Sequence, residues 1–132
     1  KAADHQIEIL IPPENLKVDA IAEFRRVLQI ALNLVGNAIR YAPDGSQITL
    51  EIADEGATDL FAVNDQGDGI AIEKRELIFD KFERLGRSGD GGSGLGLYIS
   101  RRLARAMGGD LTVTDASQGG ARFELRLPRH PI

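Results

Sequence analysis

Gly91–Gly92–Ser93–Gly94–Leu95–Gly96–Leu97 runs straight into Tyr98, Ile99 and Ser100. Glycine lacks a Cβ, so this backbone can bend sharply and approach a ligand closely. Beyond it, Leu95, Ile99, Leu103 and Met107 recur every four residues, the spacing of a helix with one apolar face. A glycine loop therefore empties into a helix N-terminus. Unpaired N–H groups and the positive end of the helix dipole make such a place a seat for phosphate. An ordinary glycine-rich connection has the same local pattern, so the loop decides nothing until other segments are set beside it.

Two rival nucleotide patterns are absent. A dinucleotide fingerprint needs a third glycine where Leu97 or Ile70 stands, and no Gly-Lys-Ser/Thr closes a phosphate loop. An EF-hand aligned on Gly69 would need Glu where Arg75 stands.

The chain of 132 residues is long enough for one domain with a core, and residues 1–132 are expected to form a single unit. Its hydrophobic share of 42% and charged share of 27% are those of a globular protein. No stretch reaches the roughly 18 to 20 apolar residues that span a bilayer. The absence of cysteine removes disulfide and thiolate chemistry. A formal charge of −4 argues against nucleic acid as the partner. The first residue is Lys1, and the chain is expected to be a cytoplasmic fragment of a larger protein, with anchoring of the parent in the inner membrane left open.

Alternation predicts strands at residues 6–11, 47–52, 60–63, 110–114 and 121–127. Phe24, Val27, Leu28, Ala31, Val35, Ala38 and Ile39 form the stripe of a long helix over about 21–41, ended by Pro43, Asp44 and Gly45. A short helix is expected over about 73–78 and a second long one over about 94–107, closed by Gly108–Gly109. The order of elements predicts an α/β fold: a two-layer sandwich with helices on one face of a mixed sheet.

Asn33 and Asn37 lie one helical turn apart, with Arg40 and Tyr41 a further turn on. A solvated face explains them without function. They also supply hard amide oxygens suited to Mg²⁺, a cation for phosphate and an aromatic face for a base. After the third strand, Asp65–Gln66–Gly67–Asp68–Gly69–Ile70 offers a carboxylate able to accept from an exocyclic amine such as adenine N6, with Ile70 and Ile72 as apolar walls. Phe79 and Phe82 read as core residues, Lys81 as a surface residue, and Arg84 and Arg87 as phosphate clamps beside the glycine loop.

Together the segments resemble one family. NLVGNAIRYAP (residues 33–43) resembles the N box of bacterial sensor histidine kinases, DQGDGI (65–70) the G1 box, IFDKFER (78–84) the F box and GGSGLGL (91–97) the G2 box, in the same order and spacing. The resemblance covers nearly the whole chain. It implies the GHKL, or Bergerat, ATP-binding fold, with about five strands and three helices across one face, and ATP and Mg²⁺ as ligands. By that resemblance Asn37 is the metal ligand with Asn33 in support, Arg40 and Tyr41 contact phosphate and base, and Asp65 holds adenine N6. Gly67, Gly69 and Ile70 shape the base pocket. Gly92, Ser93, Gly94, Leu95, Gly96 and Leu97 form the phosphate loop, and Arg84 and Arg87 meet phosphate. Asn33, Asn37 and Arg84 are the expected catalytic set.

The resemblance further implies transfer of the γ-phosphate to a histidine on the separate dimerisation domain of a homodimeric parent, which then serves a response regulator. The fragment itself is expected to be monomeric. Gyrase- and Hsp90-like members carry Glu where Asn33 stands, so hydrolysis is expected to be slow. His5 and His130 sit in no phosphoacceptor motif. Two alternatives share the pocket: a GHKL protein-serine kinase of the anti-sigma type, and a catalytically silent ATP-sensing regulatory domain.

Overall fold

The computed structural model describes residues 8–10, 21–81 and 96–129. In chain order they form β1 (Glu8–Leu10), α1 (Ile21–Tyr41), β2 (Gln47–Asp54), β3 (Thr58–Asn64), two 3-10 turns (Ile72–Lys74 and Leu77–Phe79), α2 (Gly96–Ala106), β4 (Asp110–Asp115) and β5 (Ala121–Pro128).

The strands make one five-stranded sheet in the order β1-β2-β3-β5-β4. β1 runs parallel to β2, with Ile9 opposite Ile48, and every other pairing is antiparallel. The period-two alternation gives the sheet two unlike faces. On one, Val63 stands opposite both Leu50 and Phe123, and Phe123 opposite Val113. That face meets Ile30, Leu34 and Ala38 of α1 and Leu97 and Ala104 of α2 in a single apolar core. Ile30, Leu34 and Ala38 are successive members of one helical stripe, and all three are buried. Each large aliphatic removed from water this way contributes about 1.5–3 kcal/mol.

The other face is ionic. Arg122 donates to Glu51 (2.6 Å) and Glu124 (2.8 Å), and Arg126 donates to Glu124 (3.0 Å) and Glu55 (2.9 Å). Glu51 sits below the usual carboxylate range, held there by the Arg122 guanidinium against the opposing effect of burial. At the sheet end, Arg129 pairs with both Asp54 and Asp59, which face each other across β2 and β3. Arg129 thereby relieves a like-charge cross-strand pair.

The expected architecture is present, with one correction. The helix predicted over 73–78 is instead the two 3-10 turns. Arg75 lies between them and donates to the Ile70 carbonyl (3.0 Å) and to Asp115 (2.7 Å). So short a segment does not recover the cost of α-helix nucleation, and 3-10 geometry is the usual outcome for connectors. Its apolar residues divide: Ile78 and Phe79 are buried, whereas Ile72 is 75% exposed.

Arg101 of α2 fastens these turns. Its guanidinium grips Glu76 through two bonds (2.8 and 3.0 Å) and lies 4.3 Å from the centroid of the Phe79 ring. Phe79 in turn meets Phe123 edge-on at 6.4 Å.

Candidate nucleotide site

The second half of α1 carries the polar stripe. Its sequence is helical because Ile30, Leu34 and Ala38 bury one stripe; Asn33, Asn37 and Tyr41 lie beside that stripe, half-buried, and Arg40 is exposed. Asn37 is half-buried, and its side chain has no hydrogen-bond partner among the described residues. Arg40 is exposed, lies 5.9 Å from the Tyr41 ring centroid and makes no ion pair among the described residues. Asn33 differs: its Nδ2 donates to Ser100 Oγ of α2 at 3.0 Å.

Asp65 follows β3 and is only 7% exposed. Its Oδ1 accepts from the Gly67 N–H (2.9 Å) and the Ala121 N–H (3.0 Å). Its Oδ2 has no partner among the described residues. One carboxylate oxygen is thus consumed in holding the turn, and the other remains for a donor from outside.

The turn is packed from three sides. A Cβ on Gly67 would stand 3.2 Å from the Tyr41 carbonyl, so the Asp65 turn lies against the C-terminal end of α1. Gly69 has φ of 75°, and its Cβ position is 3.4 Å from the Gly120 carbonyl. Gln66 accepts from the Gln47 N–H (2.9 Å) and donates to Gln118 (3.1 Å), tying the turn to β2 and to the β4–β5 hairpin. Gly120, Gln118 and Arg75 all shape this region, and the sequence reading assigned none of them a place in it.

The structure therefore brings Tyr41, Asp65 and Gly67 together, and separately joins Asn33 to α2. Ile70 is half-buried against the core. Gly96 opens α2 at the surface. The Leu97 side chain is buried in the core, which leaves its backbone to face a loop ligand. Arg84, Arg87, Gly92, Ser93, Gly94 and Leu95 lie outside the described residues, as do Phe82, His5 and His130.

A cleft of about 580 Å³ opens elsewhere, between the 3-10 turns and α2, bounded by Glu76, Phe79, Tyr98, Arg101 and Arg102. None of the described residues expected to bind nucleotide lines it. Its arginines are engaged. Arg101 holds Glu76 below the usual carboxylate range, Arg102 donates to the Tyr98 hydroxyl (3.3 Å), and Lys81 lies 5.8 Å from the Tyr98 ring centroid.

No group of three or more His, Cys, Asp or Glu side chains that could hold a metal occurs among the described residues. Neutral amide oxygens on α1 remain as donors. They fit Mg²⁺, which takes few protein ligands and completes its shell with water and phosphate oxygens.

Comparison with known proteins bears on all of this. The Histidine kinase-, DNA gyrase B-, and HSP90-like ATPase family matches residues 22–131. Sensor protein TorS of Escherichia coli is 45% identical over 105 residues, which cover 79% of this chain and 11% of TorS. Alginate biosynthesis sensor protein KinB of Pseudomonas aeruginosa is 35% identical over 93% of this chain and 20% of KinB. The chain thus spans a fifth or less of the length of these curated relatives. The nucleotide-free catalytic domain of histidine kinase ThkA superposes with a TM-score of 0.83 at 27% identity, covering 96% of this chain and 82% of that one. Full-length ShkA in complex with AMPPNP gives 0.76 at 33% identity, over 96% of this chain and 26% of ShkA. The chain belongs to the histidine kinase-, DNA gyrase B- and HSP90-like ATPase family, as an ATPase domain of the sensor histidine kinase kind.

Proposed function

We propose that this domain binds Mg·ATP and delivers the γ-phosphate to a histidine on a separate dimerisation domain of its parent kinase, from which a response regulator is served. The observation that carries this reading is the state of the polar groups around α1. Among the described residues the Asn37 side chain makes no hydrogen bond and Arg40 no ion pair, and the Asp65 carboxylate is fixed through one oxygen with the other left open. Groups held in place yet unsatisfied are what a ligand completes.

In this reading the open Asp65 oxygen accepts the adenine N6 amine, and Tyr41 and Ile70 cover the base. Asn37 and Asn33 are the groups that would hold Mg²⁺, which when bound neutralises phosphate charge. Arg40 adds a positive charge at the polyphosphate, with Arg84 and Arg87 as further clamps and residues 92–97 as the phosphate loop. Phosphoryl transfer needs positioning and charge neutralisation more than covalent help. Asn33, being an amide, cannot take a proton from water, which favours transfer over hydrolysis. No helix among the described residues is long and apolar enough to cross a membrane. Use of ATP places the domain in the cytoplasm, whatever the parent does at a membrane.

The test uses the intact parent and γ-labelled ATP. Label that enters the protein and is lost in acid supports phosphohistidine. Acid-stable label points to a serine acceptor, and no label to a silent domain.

A further inference from the structure

Ser100 sits in the second turn of α2 with 0% of its surface exposed. Its Oγ accepts the Asn33 Nδ2 proton at 3.0 Å across 67 residues of sequence. A hydroxyl this deeply buried costs free energy unless it is hydrogen-bonded, and alanine would fill the same place in a helix more cheaply. Asn33 is half-buried, and its other end, Oδ1, has no partner among the described residues. Asn33 is one turn from Asn37, so the two amides share a face of α1.

We propose that Ser100 is a positioning residue: by engaging the nitrogen end of the Asn33 amide it presents the oxygen end beside Asn37 and ties the metal-binding face of α1 to α2. The inference rests on the Mg·nucleotide reading above. Partners behind a metal's own ligands orient them, and their loss typically costs about 10- to 100-fold in metal affinity. A hydroxyl that merely packed would not have that effect. The arrangement also means that a shift of α2 against α1 is felt at the Asn33 amide.

The experiment is calorimetry of this chain with ATP, with and without Mg²⁺, on the wild type, Ser100→Ala, Asn33→Ala and the double variant. Ser100→Ala is expected to raise the Mg²⁺ concentration for half-maximal nucleotide binding about tenfold, with metal-free ATP affinity changed less than about twofold. In the Asn33→Ala background Ser100→Ala should add nothing, because its effect passes through that amide. Ser100→Thr, which keeps the hydroxyl, should restore the wild-type Mg²⁺ dependence. Equal losses with and without metal, or the same loss in both backgrounds, would show a packing role only and overturn the proposal. Wild-type chain that binds ATP without any Mg²⁺ dependence overturns the Mg·nucleotide reading itself. Should Ser100→Ala fail to fold, NMR of the wild type decides: an Asn33 side-chain NH₂ that exchanges as fast as that of exposed asparagines contradicts the bond.

Discussion

Asp65 and Ala121 are tied to each other twice. The Asp65 N–H donates to the Ala121 carbonyl (3.0 Å), and the Ala121 N–H donates back to Asp65 Oδ1 (3.0 Å). The side chain thus continues the β3–β5 ladder by one step past Asn64 and Arg122, where the backbone of β3 turns away. A residue held this way is both a strand terminator and a fixed acceptor, and the two roles use different oxygens of one carboxylate.

That division predicts the behaviour of Asp65→Asn. An amide oxygen can still accept from the Gly67 and Ala121 N–H groups, so the fold persists with a loss of about 1 kcal/mol in exchanging charged for neutral acceptors. The open end becomes a donor facing the adenine amine. Preference for ATP over GTP should fall at least about fivefold, since an opposed buried donor costs about 1–3 kcal/mol. Calorimetry with the two nucleotides reads it, and an unchanged ratio removes Asp65 from the base pocket.

Asn37→Ala separates binding from folding. The side chain has no hydrogen-bond partner among the described residues, and alanine is the better helix former. Denaturant unfolding should show stability within about 0.5 kcal/mol of wild type or slightly above it. The Mg²⁺ dependence of ATP binding should vanish in the same protein. A variant that titrates with Mg²⁺ like the wild type contradicts the metal assignment.

Two neighbouring glycines should respond unequally to alanine. Gly119 and Gly120 have φ of 85° and 90°, so either substitution strains the backbone by about 1–2 kcal/mol. A Cβ on Gly119 meets open space, whereas on Gly120 it would stand 2.2 Å from the Asp65 carbonyl oxygen. Gly120→Ala therefore adds overpacking of about 1–3 kcal/mol and displaces the Asp65 turn. It should unfold well below Gly119→Ala in a thermal melt and lose ATP affinity as well. Equal melting points would mean that the hairpin does not lean on that turn.

Glu124 gives the sheet's ionic face an acid limb. Its side chain is 16% exposed, and burial alone would raise its pKa. The Arg122 and Arg126 guanidiniums outweigh that and hold it below its ordinary 4.5. A carboxyl lowered in the folded state stabilises fully above its unfolded value and loses that contribution as pH falls through the folded one. Glu124→Gln is expected to cost about 1–2 kcal/mol at neutral pH. The gap to wild type should narrow as the pH falls below that ordinary value and Glu124 takes up its proton; Glu51 and Glu55, whose carboxyls the Glu124 charge pushes up, titrate slightly lower in the variant. A gap that stays constant as the pH falls assigns the cost to packing.

Much of the frame was legible because it is periodic. The stripe of α1, the run after the glycine loop and the β4–β5 hairpin declare themselves at spacings of 3.6 and 2, and nearest neighbours in sequence enforce them. The 3-10 turns were not legible. Ile72, Leu77, Ile78 and Phe79 look alike as apolar residues, and only packing against Arg101 and Phe123 sorts the buried pair from the exposed one. Leu97 carries the same ambiguity: whether the side chain of an apolar residue at a helix start faces ligand or core depends on what lies beneath it.

Residue types and their order along the chain determined the family, the alternation of helix and strand, and the inventory of amides, carboxylate and glycines that a nucleotide needs. Tertiary structure alone decided which ends of those groups are free. Asn33 is committed to Ser100 from 67 positions away, and Asp65 to Ala121 from 56. Bonds between residues so distant depend on strand order and helix packing, which no local spacing encodes, and they leave one oxygen of each side chain available.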